Sequence, residues 1–170
     1  LFFEQHLDWS GTLIEPTACA TCMLPHTRPR DRIVHAAACV DSTVIPGLAH
    51  LGVLGSPNAR FCVGYDGCVA DAPGGYSNYS TPCEPMHRLM EPLPPRIDFF
   101  SIDVEEHVMA VLSTIPFDKV DIDVLLVEAA RGKFNYNREA IDLLHGNGYE
   151  ILGERSPHKK HCVFGVTWSR

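Results

Sequence analysis

Three acidic residues of this 170-residue chain stand where short apolar runs end. Glu15, Asp103 and Glu128 each follow a run that is typical of a buried strand. Ligands of an open parallel sheet bind beyond the carboxyl ends of its strands, so we expect these carboxylates along one edge. Glu15 ends an early strand, and its two acceptor oxygens suit the two hydroxyls of a ribose.

A second group of ionisable residues lies between a predicted strand and a predicted helix. It contains Asp103, Glu105, Glu106 and His107. Carboxylates with a histidine can bind a divalent metal, as in a metal-dependent hydrolase, or one of them can act as a general base. The same residues also fit a solvated first helical turn with Asp103 as its cap, so both interpretations stay open.

The seven cysteines do not indicate a compact disulfide framework, because they are scattered and odd in number. Cys19 and Cys22 have the spacing of half a zinc site. A structural zinc needs four ligands and no second pair has matching spacing, so no metal site is predicted. Asn78-Tyr79-Ser80 fits the glycosylation triplet, which matters only in a secreted protein. The sequence therefore does not indicate the cellular compartment of the protein.

Strand and helix patterns alternate along most of the chain. Apolar residues at helical spacing between Val104 and Ile115 predict one buried helix face. Alternation of this kind predicts an α/β fold with a mostly parallel sheet and an antiparallel strand near the C-terminus. The predicted elements are helices at 1–7, 17–24, 85–90, 104–115 and 137–145, and strands at 12–14, 32–38, 97–102, 120–127, 149–152 and 161–166. An irregular insert spans about 52–82.

Composition limits the classes of partner. Apolar residues make up 45% of the chain, which is enough for a core on both faces of a sheet in one domain. The formal net charge of −7 argues against nucleic acid, whose phosphates need a basic surface. No apolar run reaches about 18 residues, so no membrane span is predicted. The oligomeric state is not indicated.

Several segments of the chain resemble the FkbM-type methyltransferases. They are the start Leu1-Phe2-Phe3-Glu4, Leu13-Ile14-Glu15-Pro16, Ala36-Ala37-Ala38-Cys39, the stretch from Cys83 to Met90, and Ile97-Asp98-Phe99-Phe100-Ser101-Ile102-Asp103-Val104-Glu105. The last segment is the most specific. The resemblance covers nearly the whole chain except about Gly52 to Pro82.

The resemblance implies a Rossmann-like domain that binds S-adenosylmethionine and transfers its methyl group to an oxygen of a sugar or small molecule. It implies that Glu15 holds the ribose and that Ala37 and Ala38 lie near the adenine. Asp103 and Glu105 are implied to lie at the methyl-transfer edge.

Catalysis of methyl transfer requires alignment of the acceptor oxygen with the methyl group, helped by a base. The candidates for that base are Asp103 and His107.

The family carries a small residue, most often glycine, where this chain has Glu106. The family's first strand and glycine-rich loop are expected before Leu1, so we interpret residues 1–170 as a single, N-terminally truncated domain. The alternative function is a catalytically inactive binding or trafficking module.

Overall fold

The structure is a computed structural model that describes residues 2–16, 18–46, 80–104, 107–128, 130–131, 135–136, 138–154 and 161–166. The chain divides into two compact units, Leu1–Glu84 and Pro85–Arg170. Within the described residues, no helix is long and apolar enough to cross a membrane. The predicted insert lies largely outside the described residues, and the prediction of a single domain stays a prediction.

The first unit contains a parallel strand pair and a small mixed sheet. In the pair, β1 lies beside β2 with Leu13 opposite Ile33 and Glu15 opposite His35. In the mixed sheet, β5 is the central strand, parallel to β3 and antiparallel to β4. The elements are α1 (Phe2–Leu7), β1 (Thr12–Glu15), α2 (Ala18–Thr27), β2 (Arg32–His35), β3 (Ala37–Ala38), β4 (Thr43–Pro46) and β5 (Ser80–Glu84).

The second unit is built on a four-stranded sheet with the order β10-β11-β7-β6. The pair β6 and β7 is parallel, and β11 is antiparallel to both of its neighbours. The elements are α3 (Met86–Leu89), β6 (Arg96–Ile102), α4 (Val108–Leu112), β7 (Asp121–Glu128), β8 (Ala130–Arg131), β9 (Asn135–Tyr136), α5 (Arg138–Gly146), β10 (Tyr149–Glu154) and β11 (His161–Val166). The α/β class is thus confirmed, with the described strands divided among four small sheets. The expected mostly parallel sheet is not shown, because the four-stranded sheet has one parallel and two antiparallel pairings.

The core of the second unit centres on β7, where Leu125 and Val127 have no exposed surface. Strand β7 has neighbours on both edges and carries the apolar run Val124-Leu125-Leu126-Val127, in which Leu125 and Val127 share the buried face and Val124 and Leu126 are half-buried. Helix α4 adds Val108, Val111 and Leu112 to the buried set, and α5 adds Ala140 and Leu144. Complete burial of one such leucine or valine contributes about 1.5–3 kcal/mol.

The start of β1 is fixed by a cluster of charged side chains on both sides of it. Arg28 forms a salt bridge with Glu4 of α1, and Arg30 forms one with Asp8. The Asp31 side chain is 2% exposed, and its Oδ1 accepts a hydrogen bond of 2.8 Å from the Gly11 amide. These contacts hold α1 and the turn before β2 at the end of β1 that lies away from Glu15.

Two predicted elements of the first unit have different bounds in the structure. The strand predicted at 32–38 is interrupted at Ala36, whose amide donates to the Val34 carbonyl at 3.1 Å and turns the chain. As a result β2 pairs with β1, whereas β3 pairs with β5. Helix α2 runs to Thr27 rather than ending at 24, and it includes Pro25 although proline has no amide to donate.

The two helices beside the second sheet also differ from prediction. Helix α4 begins after its N-cap residue His107, so it is shorter than the helix expected from Val104, and Asp103 is not its N-cap residue. Helix α5 includes Gly146, which was expected just past its end. The glycine with the left-handed backbone is Gly148, with φ of 85°, and it turns the chain into β10.

Candidate cofactor site

The carboxyl end of β1 is held by three side chains from three different elements. The Glu15 carbonyl accepts a hydrogen bond of 3.1 Å from Thr21 Oγ1 of α2. The Pro16 carbonyl accepts one of 3.1 Å from Thr81 Oγ1 of β5. His35 Nε2 of β2 lies 3.2 Å from the same oxygen and donates to it when that nitrogen carries the proton. The position of Glu15 is therefore set from its backbone.

Glu15 has the position and the chemistry expected of a ribose-binding acid. It is the last residue of a parallel strand, and it is half-buried. Pro16 disfavours a helical conformation of the preceding residue, Glu15, and strand β1 ends at that residue. Two acceptor oxygens at the carboxyl end of a parallel pair fit a pair of ribose hydroxyls.

Ala37 and Ala38 form a short strand two residues after the end of β2. Both are half-buried, and the preceding Ala36 is 3% exposed. Their methyl groups project little from the backbone, which leaves a low apolar surface of the kind that a flat purine ring can cover. The assignment of these residues to the adenosine part of S-adenosylmethionine stays a prediction.

Thr81 and Cys83 of β5 were not among the predicted site residues. Side chains two apart on a strand share one face, and these two are 1% and 0% exposed. Cys83 forms a disulfide with Cys39, the residue that follows β3. The segment was predicted to belong to an irregular loop ending at Pro82, which was wrong for residues 80–82. The sequence did contain a signal for a strand here, because Thr81 and Cys83 are two residues apart and lie just before a predicted helix.

In the second unit, Asp103 and Glu128 lie at the same edge of the sheet. The parallel register pairs Ile102 with Val127, and each acid follows its partner directly in the chain. The register therefore brings two of the three predicted strand-end acids to one edge, whereas Glu15 belongs to the other unit, and the gathering of all three stays a prediction. The Asp103 side chain is exposed.

His107, the other candidate base, is exposed and is the N-cap residue of α4. Its side chain makes no capping hydrogen bond, and its amide donates to the Val104 carbonyl at 3.1 Å. Glu105 and Glu106 lie outside the described residues. Their interpretation as a solvated first turn, or as part of a site, stays a prediction.

The sequence left a metal site open at the Asp103–His107 cluster, and Cys19 and Cys22 offered only half of a zinc site. Within the ranges that the structure describes, no group of three or more histidine, cysteine, aspartate or glutamate side chains could hold a metal ion. Cys19 and Cys22 both lie in α2, one turn apart. Glu105 and Glu106 lie outside those ranges, so the metal-dependent hydrolase stays an untested alternative.

An open cavity of about 580 Å³ lies in the second unit, away from Asp103. Its lining includes His87, Glu91, Ser113 and Lys119, which precede β6 or β7 in the chain. The cavity is therefore at the amino ends of these strands, whereas ligands of parallel sheets bind at the carboxyl ends. We do not assign it to the candidate site.

Comparison with known proteins gave no match: no family model, no curated protein and no solved structure matches this chain.

Proposed function

We propose that this protein is an S-adenosylmethionine-dependent O-methyltransferase whose acceptor is a hydroxyl of a sugar or small molecule. The observation that carries the proposal is the Glu15–Pro16 turn, where a strand-end carboxylate is positioned through its backbone by Thr21, His35 and Thr81. A side chain positioned in this way needs little reordering to bind a ribose, which favours affinity.

The proposal gives the first unit the adenosine part of the cofactor. Glu15 accepts the two ribose hydroxyls, and Ala37 and Ala38 cover the adenine. The strands that carry these residues are parallel to a neighbour, as expected for a nucleotide-binding edge. The segments that resemble the methyltransferase family include all three residues.

The second unit supports the same proposal through its sheet. A Rossmann-like methyltransferase domain with a mostly parallel sheet and an antiparallel strand near the C-terminus fits the parallel pair β6 and β7 and the antiparallel β11.

The chemistry requires few groups from the protein. The bound cofactor supplies an electrophilic methyl group on a sulfonium sulfur. Asp103 or His107 would take the proton of the acceptor hydroxyl, and the exposure of both side chains lets them reach a substrate. Glu105 is assigned to the same edge by resemblance alone.

The test is calorimetric titration of S-adenosylmethionine into the full-length protein and its Glu15→Ala variant. We expect micromolar binding by the wild type and a loss of about tenfold or more in the variant, equivalent to about 1.4 kcal/mol. Asp41→Ala is the matched control, because it removes an exposed carboxylate of the same unit and should leave the affinity unchanged.

Absence of binding by the folded wild-type protein would contradict the proposal. The function would then be the alternative, a catalytically inactive binding or trafficking module with the same fold. Equal losses in Glu15→Ala and Asp41→Ala would contradict the assignment of the ribose to Glu15, because the effect would then follow net charge rather than position.

A further inference from the structure

We infer that the disulfide between Cys39 and Cys83 positions the adenine-binding strand, so that cofactor affinity depends on its oxidation state. The inference rests on the proposed function and adds a covalent positioning element and a redox dependence to the same site. Neither cysteine takes part in the chemistry of methyl transfer. The argument starts from the weakness of β3 as a strand.

Strand β3 is only two residues long. It is paired with β5 through Ala37 opposite Cys83 and Ala38 opposite Glu84. One further hydrogen bond of 3.0 Å runs from the Cys39 amide to the Glu84 carbonyl. On unfolding, backbone hydrogen bonds are replaced by hydrogen bonds to water. A ladder this short therefore stabilises the position of β3 only modestly.

The disulfide closes this short ladder covalently. Cys39 directly follows β3, and Cys83 is the fully buried residue that lies opposite Ala37. Their Cα atoms are 5.4 Å apart, which is an ordinary separation for a disulfide. The two residues are separated by 44 positions in the sequence, and β4 also pairs with β5, with Thr43 opposite Cys83, so the disulfide adds a covalent link to a segment that β4 already brings close to β5.

Strand β5 also contacts the other part of the proposed site. Thr81 lies on the same face of β5 as Cys83, and its hydroxyl donates to the Pro16 carbonyl. A single strand therefore joins the Glu15–Pro16 turn, by a hydrogen bond, to Ala37 and Ala38, by the disulfide and the ladder. Breaking the disulfide leaves the Thr81–Pro16 hydrogen bond in place and leaves β3 held to β5 by its short ladder alone.

Reduction by a dithiol provides the switch. The Cys39–Cys83 sulfur–sulfur bond breaks, each sulfur gains one proton and one electron, and the dithiol is oxidised to its cyclic disulfide. Two electrons and two protons pass from the dithiol to the protein. Reoxidation reverses the reaction and restores the position of β3.

The experiment measures S-adenosylmethionine affinity of the full-length protein in its oxidised form, after reduction by dithiothreitol, and after reoxidation. We expect reduction to weaken binding by about tenfold and reoxidation to restore it. The Cys39→Ser/Cys83→Ala double variant should bind like the reduced protein in both conditions, which separates this disulfide from the other five cysteines. Alanine replaces the buried Cys83 because a buried hydroxyl without a partner would be costly.

Hydrogen exchange at the Cys39 amide gives a readout that does not require the cofactor. The amide should be protected in the oxidised protein and should exchange faster after reduction, while circular dichroism shows that the fold persists. Equal affinities of the oxidised and reduced forms would overturn this inference and leave the proposed function standing. No binding in either form would overturn both.

Discussion

The hydroxyl of Thr81 donates a hydrogen bond of 3.1 Å to the carbonyl of Pro16, 65 positions earlier in the chain. Thr81 is 1% exposed, so the bond is shielded from water on the threonine side. It ties the central strand of the mixed sheet to the turn that ends β1. The orientation of Glu15 thus depends on a residue far from it in sequence.

Replacement of Thr81 by valine tests this relationship, because valine keeps the shape and removes the hydroxyl. We expect the free energy of unfolding to fall by about 1–2 kcal/mol, since the Pro16 carbonyl loses a donor. The affinity for S-adenosylmethionine should fall by several-fold in calorimetry. Thr43→Val, at an exposed position of β4, is the control and should change neither quantity. Unchanged affinity in Thr81→Val would show that Glu15 is positioned by other contacts.

The Cys39–Cys83 disulfide should also contribute to stability in the absence of any ligand. Its bond closes a loop of 44 residues. The chain-entropy treatment for a loop of this length predicts a contribution of about 4 kcal/mol. Urea unfolding of the oxidised protein and of the Cys39→Ser/Cys83→Ala variant measures the difference. Coincident unfolding curves would show that the first unit folds without help from this bond.

Tyr149 should make the stability of the second unit depend on pH in alkaline solution. Its hydroxyl donates to the Ile122 carbonyl at 2.9 Å, and burial, aided by the nearby charges of Asp121 and Asp123, raises its pKa. The folded protein therefore keeps this proton at pH values where the unfolded chain has lost it. Stability is fully present below the unfolded pKa of 10.0 and decreases as the pH rises through the folded value.

The Tyr149→Phe variant separates the two contributions of this residue. At neutral pH it should lose about 1–2 kcal/mol, because a buried carbonyl is left without its donor. Above pH 10.0 its stability should fall less steeply than that of the wild type. Denaturant unfolding between neutral and strongly alkaline pH gives both quantities. Parallel pH profiles for the two proteins would contradict the assignment.

The role of the general base can be tested by Asp103→Asn and His107→Gln, each of which keeps a similar size and removes a proton acceptor. Loss of the base should lower kcat by about 10²–10⁴ without a comparable effect on cofactor affinity. Methyl transfer to a sugar hydroxyl, followed by the release of S-adenosylhomocysteine, is the assay. Wild-type kcat in both variants would mean that neither residue is the base.

The sequence predicted most elements well where the pattern was strong and local. The strands at Thr12–Glu15, Arg96–Ile102 and Asp121–Glu128 follow from apolar runs, and the antiparallel pair β10 and β11 follows from the short segment between them. The positions of Glu15, Asp103 and Glu128 at or directly after the ends of these three strands also followed from this pattern. These features depend on residues that are close together in the chain.

Features that depend on distant residues could not be read in the same way. The two-residue strand β3 exists because β5 pairs with it, and β5 lies in a segment rich in turn-forming residues. The disulfide partner of Cys39 follows from that pairing and not from cysteine spacing.

Helix α4 is shorter than its periodicity indicated, although Val108, Val111, Leu112 and Ile115 are buried as predicted.

The central claim is that the Glu15 carboxylate binds the two ribose hydroxyls, and a double-substitution cycle tests it most directly. Affinities of the wild type and Glu15→Ala are measured for S-adenosylhomocysteine and for its analogue that lacks both ribose hydroxyls. The account predicts that Glu15→Ala weakens binding of the parent ligand by about tenfold and leaves binding of the analogue nearly unchanged. Equal losses for both ligands would contradict it, because Glu15 would then act without contacting the ribose.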